Sequence, residues 1–236
     1  MKRTTIILFF IGLCLTAKAQ VNPYYDDKLF HFGFSVGVNF MDFATPEATD
    51  TVGVRQSSLL PGFSVGFIAD LRLTRHLNLR FQPALHFSER ALTYKAAEGH
   101  QLPENSKYGS RVVITSIPVT IPLYLKWSAE REMNYRPYLI GGGGLSIDVM
   151  PVSAQQSPVI PGLLNYFAEV GFGCDFYFSW FKLCPQLTYS IGFNNMLLDV
   201  DGTNRRVGSI AEQDKFYSHM LKGLYSHQLT LTFNFE

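Results

Sequence analysis

The sequence predicts an all-β protein, an eight-stranded antiparallel transmembrane β-barrel with long outer loops and short periplasmic turns. Its clearest sign is a period of two. From Phe30 to Phe40 every second residue is apolar (Phe30, Phe32, Phe34, Val36, Val38, Phe40), and His31, Gly33, Ser35, Gly37 and Asn39 lie between them. On a strand that pattern makes one greasy face and one small or polar face. The alternation then returns along the whole chain. Tight turns and long connections join the segments in alternation, as in barrels of the outer membrane.

The residues before Phe30 set the compartment. Lys2 and Arg3 precede the apolar stretch Ile6 to Leu15, and Ala17-Lys18-Ala19 offers a small-residue cleavage site. Residues 1–19 read as a secretory signal peptide, too short to span as a helix once cut. Residues 20–29 form a periplasmic tail, and 30–236 the barrel. Leu13 before Cys14 is bulkier than lipidation signals usually allow. The chain of 236 residues has 20 Lys and Arg against 19 Asp and Glu, net +1, with no basic block, which argues against nucleic acid as a partner. No linker divides the mature chain.

The second strand runs from Phe63 to Leu73, with Phe63, Val65, Phe67, Ala69 and Leu71 outward and Ser64, Gly66, Asp70 and Arg72 inward. After Thr74-Arg75-His76, a third carries Leu77, Leu79, Phe81, Leu85 and Phe87 against Asn78, Arg80, Gln82, His86 and Ser88. The fourth spans Val113 to Trp127, with Thr120, Tyr124 and Lys126 inward. A polar turn at Ser128 to Asn134 leads to a fifth, with Tyr135, Leu139, Leu145 and Ile147 opposite Arg136, Ser146 and Asp148.

Leu163 to Phe181 is the one segment long and apolar enough to suggest a membrane helix. Each of Glu169 and Asp175 would cost about 2.5–3.5 kcal/mol near a helix centre. As a strand, Leu164, Tyr166, Val170, Phe172 and Phe176 face lipid while Asn165, Glu169 and Asp175 face inward, so the strand is favoured. A turn at Ser179-Trp180, a strand through Phe193 and a last one from Tyr225 to Phe235 complete eight, an even number suited to closure. Long connections fall near 41–61, 89–111, 149–162 and 194–223. Short ones belong on the periplasmic side of such barrels, and with them both termini. Pro83, Pro118, Pro122 and Pro185 remove ladder donors, and local bulges are expected there.

Asp70, Arg72, Arg80, Lys126, Arg136, Glu169, Asp175 and Lys182 share inward parity. A lumen can pair and hydrate charges that lipid would penalise. An internal salt-bridge plug is favoured over an ion path, because side chains fill an eight-stranded lumen. Gly141 to Gly144 lie inside a strand. No Gly-Lys-Ser/Thr follows, so they are no phosphate loop. Gly142 and Gly144 clear lumen space, whereas Gly141 and Gly143 leave a shallow lipid-side groove that could dock another membrane protein.

Ser209 and Glu212 have capping-box spacing, and Gly223 offers a stop, so a helix is expected in the last long loop. It could be a lid on the barrel mouth or a partner-binding element. His86, Ser88 and Glu89 raise the possibility of a lipid or protein hydrolase. No nucleophile elbow or metal-ligand spacing accompanies them, and polar lining is favoured. Asp26 and Asp27 lack further ligands for a cation. No enzyme, metal or cofactor is expected, nor any small-molecule substrate. Cys174 and Cys184 have opposite parity across the Ser179-Trp180 turn, so two free thiols are expected.

Tyr24-Tyr25-Asp26-Asp27-Lys28-Leu29-Phe30-His31-Phe32-Gly33-Phe34, running on to Asn39-Phe40-Met41-Asp42-Phe43, resembles the PorT family, called SprT in gliding bacteria. The resemblance extends over the mature chain and is densest at this N-terminal stretch. It implies an outer-membrane barrel associated with type IX secretion in the Bacteroidetes, serving cargo export and in some species gliding. Glu236 after Phe235 departs from the aromatic ending common in barrels. An eight-stranded lumen is too narrow for folded cargo. The expected role is therefore an accessory or assembly component with other secretion-system proteins and outer-membrane lipid as partners; a free-standing structural or adhesion barrel is the alternative. Tyr24, Tyr25, Asp26 and Asp27 in the tail, then Gly141 and Gly143, are the expected partner surfaces.

Overall fold

A computed structural model describes residues 28–45, 52–54, 60–96, 110–150, 157–198, 212–219 and 221–236. Residues 1–19, expected to be a signal peptide, the tail residues Tyr24 to Asp27 and the expected cap Ser209 lie outside the described residues. In chain order the elements are β1 (Phe30–Ala44), β2 (Val52–Val54), β3 (Leu60–Arg72), β4 (Leu77–Phe81), β5 (Ala84–Ala96), β6 (Arg111–Ser116), β7 (Pro118–Ser128), β8 (Tyr135–Asp148), β9 (Leu164–Tyr177), β10 (Lys182–Gly192), α1 (Glu212–His219) and β11 (Tyr225–Phe235).

These strands make eight staves. β4 with β5, and β6 with β7, are each one stave interrupted, and β2 only extends the outer part of β5. Every neighbouring pair is antiparallel, and β1 pairs with both β3 and β11, which closes the barrel. Closure leaves the barrel wall without a free edge, the one β-arrangement that satisfies its backbone inside a membrane. The Leu163 to Phe181 segment is strand: β9 is laddered to β8 on one side and β10 on the other.

Side chains sort by parity as the alternation requires. Phe32 and Phe67 are 72% and 74% exposed on the outer wall, while Ser35, Asn39, Thr188 and Asn234 are buried inside. The short connections all lie at one end, between β3 and β4, β7 and β8, and β9 and β10. At the last of these the Phe178 amide donates to the Phe181 carbonyl (3.0 Å) and the two rings stack. In the β7–β8 turn Met133 takes φ 51°, a left-handed conformation uncommon for a long side chain.

The prolines interrupt the ladder but do not bulge it. Ala69↔Phe81 and Gly66↔Ala84 keep one register across Gln82-Pro83, and Phe81↔Leu123 and Ala84↔Thr120 do the same on the other side. Pro83 still accepts a hydrogen bond from the Phe67 amide at 3.0 Å. Around Pro185 the register between β9 and β10 is likewise unshifted, and Pro118 and Pro122 pair in step with Asp148 and Gly144. A missing donor therefore costs a rung without adding a residue, and the expectation of bulges is corrected.

The strands also run further than their membrane-like pattern. β1 reaches Ala44, β5 reaches Ala96 and β6 begins at Arg111, so the expected connections at 41–61 and 89–111 are shorter. In these extensions the inward side chains become apolar. Phe43, Leu92, Tyr94, Val112 and Ile114 join Val159, Tyr217, Leu221 and Leu224 in one buried cluster. Helix α1 is thus seated on the long-loop end of the barrel. Tyr217 meets Tyr94 edge to face at 4.9 Å, and the Tyr94 hydroxyl donates to the Tyr217 carbonyl at 3.2 Å. The loops beside it are tied by the Met196 amide to the Leu224 carbonyl (2.8 Å) and the Leu198 amide to Ile160 (3.2 Å).

Candidate functional site

The lumen is built in three storeys, each set by which residue types have inward parity at that height. At the short-turn end, β3 supplies Asp70, β4 Arg80, β7 Lys126, β9 Asp175 and β10 Lys182. Glu236, next in parity after Asn234 on β11, completes three cations and three carboxylates. The Arg80 guanidinium donates to Asp70 through Nε (2.9 Å) and Nη2 (2.7 Å), and Nη2 reaches Glu236 Oε1 at 2.5 Å. Lys126 Nζ donates to both Asp175 oxygens at 2.9 and 2.6 Å. Lys182 Nζ lies 2.5 Å from Glu236 and 3.8 Å from Asp175, so it links the two halves of the cluster.

All six side chains are buried, and neutral groups fill several of the remaining valences. Asn78 donates to Asp70 at 2.8 Å. Gln186 Oε1 accepts from Arg80 (3.4 Å), Tyr138 (3.1 Å) and Asn234 (3.3 Å). The Tyr138 ring lies under Lys126 Nζ at 4.1 Å, a cation–π contact. Buried charges are tolerated when they are paired, and each of these six has at least one oppositely charged partner within 4.0 Å.

The other inward charges stand apart from this cluster. Arg136 clamps two turns, donating to the carbonyls of Ala129 (2.8 Å) and Arg75 (2.5 Å). Arg72 sits half-buried at the rim, its amide donating to Leu29 at 2.9 Å. Glu169 lies deeper, lining the same cavity as Tyr124 and Thr188. Glu236 was missed as a lumen residue, although its parity with Ser226, Gln228, Thr230, Thr232 and Asn234 was the signal that could have found it.

The middle storey is polar. A cavity of about 40 Å3 is lined by hydroxyls, amides, His86, Arg90 and Glu169. His86 is held by Thr120 (3.0 Å) and Gln228 (3.1 Å), and Ser88 donates to Met41 Sδ at 2.8 Å. Both residues face the lumen, each engaged with a different partner. Above them the apolar cluster beneath α1 closes the long-loop end.

The two expected groove glycines differ. A β-carbon on Gly141 would meet nothing within 4 Å, so this position is open to the outside. One on Gly143 would lie 2.5 Å from the Phe167 carbonyl, so that glycine lets β8 and β9 approach. Cys174 and Cys184 are both free, Cys174 outward and partly exposed, Cys184 fully buried in the lumen.

A closed barrel with an apolar outer belt and a plugged polar lumen defines an outer-membrane barrel protein. The chain belongs to the outer membrane protein beta-barrel domain family, whose model matches residues 18–198. No curated protein matches the chain. Among the described residues no helix is long and apolar enough to cross a membrane, and the strands provide the crossing.

Proposed function

We propose that this barrel is a non-enzymatic accessory or assembly component of type IX protein secretion, and not itself the translocation pore. The observation that carries the second half is the closed lumen. The Arg80–Glu236–Lys182–Asp175–Lys126 cluster fills one end and the Tyr94–Tyr217 cap the other. A protein of this shape acts through its surfaces, on partners and lipid. The resemblance at Tyr24 to Phe43 supports the secretion system as the setting, with the short turns and both termini in the periplasm and residues 1–19 removed on export.

The tail at Tyr24, Tyr25, Asp26 and Asp27 ranks first as the partner surface, because its aromatic and charged composition suits an interface. The open face at Gly141 ranks second. Deleting the gene and assaying export of secreted cargo tests the reading: loss of export supports it, and normal export favours a free-standing structural barrel. In the same assay Tyr24→Ala with Tyr25→Ala is expected to impair export at an unchanged barrel level. Gly141→Leu probes the groove without disturbing strand approach, whereas Gly143→Leu would push β8 and β9 apart.

A further inference from the structure

Arg90 differs from the other buried cations of the lumen. Its side chain is 4% exposed, yet no carboxylate oxygen lies within 4.0 Å of it among the described residues. Nη2 donates to the thioether of Met41 at 3.1 Å, the Phe43 ring covers the guanidinium at 4.3 Å, and Nε has no hydrogen-bond partner. A thioether is a weak acceptor, and a buried charge without a direct carboxylate partner is costly. Two carboxylates, Asp148 and Asp42, act on Arg90 only from beyond 4.0 Å; Asp148 is hydrogen-bonded by Ser116 and by the amides of Ile117 and Met150, and Asp42 by the Phe43 amide.

Arg90 also lines the middle-storey cavity, together with Ser64, Thr120 and Gln228. At about 40 Å3 the cavity has room for a few waters or one small ion. Its hydroxyl and amide groups can donate to an anion, and Arg90 supplies the charge. Glu169 lines the same cavity, and its carboxylate opposes any anion there, a divalent one about twice as strongly as a monovalent one. We infer that Arg90 and the cavity beside it form a binding site for one small monovalent inorganic anion of halide size. The anion serves as the counter-ion of Arg90 and steadies the outer half of the lumen.

Bromide tests this, because it is small, monovalent and visible by anomalous scattering. Full-length protein refolded in detergent is melted in sodium bromide and in sodium gluconate at equal ionic strength, gluconate being too large for the cavity. Bromide is expected to raise the melting temperature of the wild type and not that of Arg90→Met. Crystals of the wild type grown in bromide are expected to show an anomalous peak within hydrogen-bond distance of the Arg90 guanidinium. Equal bromide effects on both proteins, or crystals with no bromide at Arg90, overturn the proposal. The crystal result decides even if Arg90→Met does not refold.

Discussion

Arg80 on β4 and Glu236 after β11 meet at 2.5 Å although they are 156 residues apart in the chain. β4 is bounded by β3 and β7, and β11 by β1 and β10, so the contact crosses the lumen instead of following a ladder. Glu236 also holds Lys182 and is the anion the two cations share. Removing its charge leaves both with one carboxylate fewer. Glu236→Gln is therefore expected to destabilise the barrel by about 3–5 kcal/mol, the cost of breaking a buried pair. Urea unfolding of the refolded protein, followed by circular dichroism, reads the shift. An unchanged midpoint would remove Glu236 from the plug.

Lys126 and Asp175 form the other tight pair. Lys126→Met and Asp175→Asn should each be strongly destabilising, because each strands its partner. Together they are expected to cost about 0.5–3 kcal/mol less than the sum of the single changes, the range typical of residues in one network. Strict additivity in a double-mutant cycle would mean the two side chains do not interact in the folded barrel.

Two glycines with opposite surroundings give a matched test of packing. The Tyr138 ring lies across Gly173, where a β-carbon would fall 2.5 Å from the ring carbon Cζ and 2.6 Å from the Pro185 carbonyl. Gly173→Ala is expected to cost about 1–3 kcal/mol through overpacking. Gly141→Ala projects into open space and should change stability by no more than about 0.5 kcal/mol. Equal effects on the unfolding midpoint would contradict the lumen packing.

The two cysteines report on the wall between lumen and exterior. In folded, detergent-solubilised protein, a maleimide should label partly exposed Cys174 and leave buried Cys184 untouched until the barrel is unfolded. Both should label after unfolding without reductant. A protected pair would require a disulfide and a different register between β9 and β10.

How much of this the sequence discloses depends on the medium each segment faces. Where the outer wall meets lipid and the lumen is polar, alternation is strict, and it locates the strands and the inward charges from Asp70 to Lys182. Beyond that belt, at Phe43, Leu92 and Tyr94, inward residues are apolar because the cap is a dry core. The contrast fades there, and the ends of β1, β5 and β6 read as loop. Glu236 is hard to read from sequence for a different reason: an aromatic such as Phe235 is the usual barrel-end signal, and the parity of β11 alone points Glu236 inward. Parity also reports only that a charge faces the lumen. It does not tell which cation meets which carboxylate, and so Arg136 and Glu169 could not be separated from the cluster beforehand.

The central claim is that this barrel is closed and works through its surfaces. Electrical recording after reconstitution into planar bilayers tests it most directly. Wild-type protein should insert without producing steady, porin-like conductance, because the charged cluster and the apolar cap block both ends of the lumen. A stable open channel from the wild type, reproducible across insertions, would contradict the account.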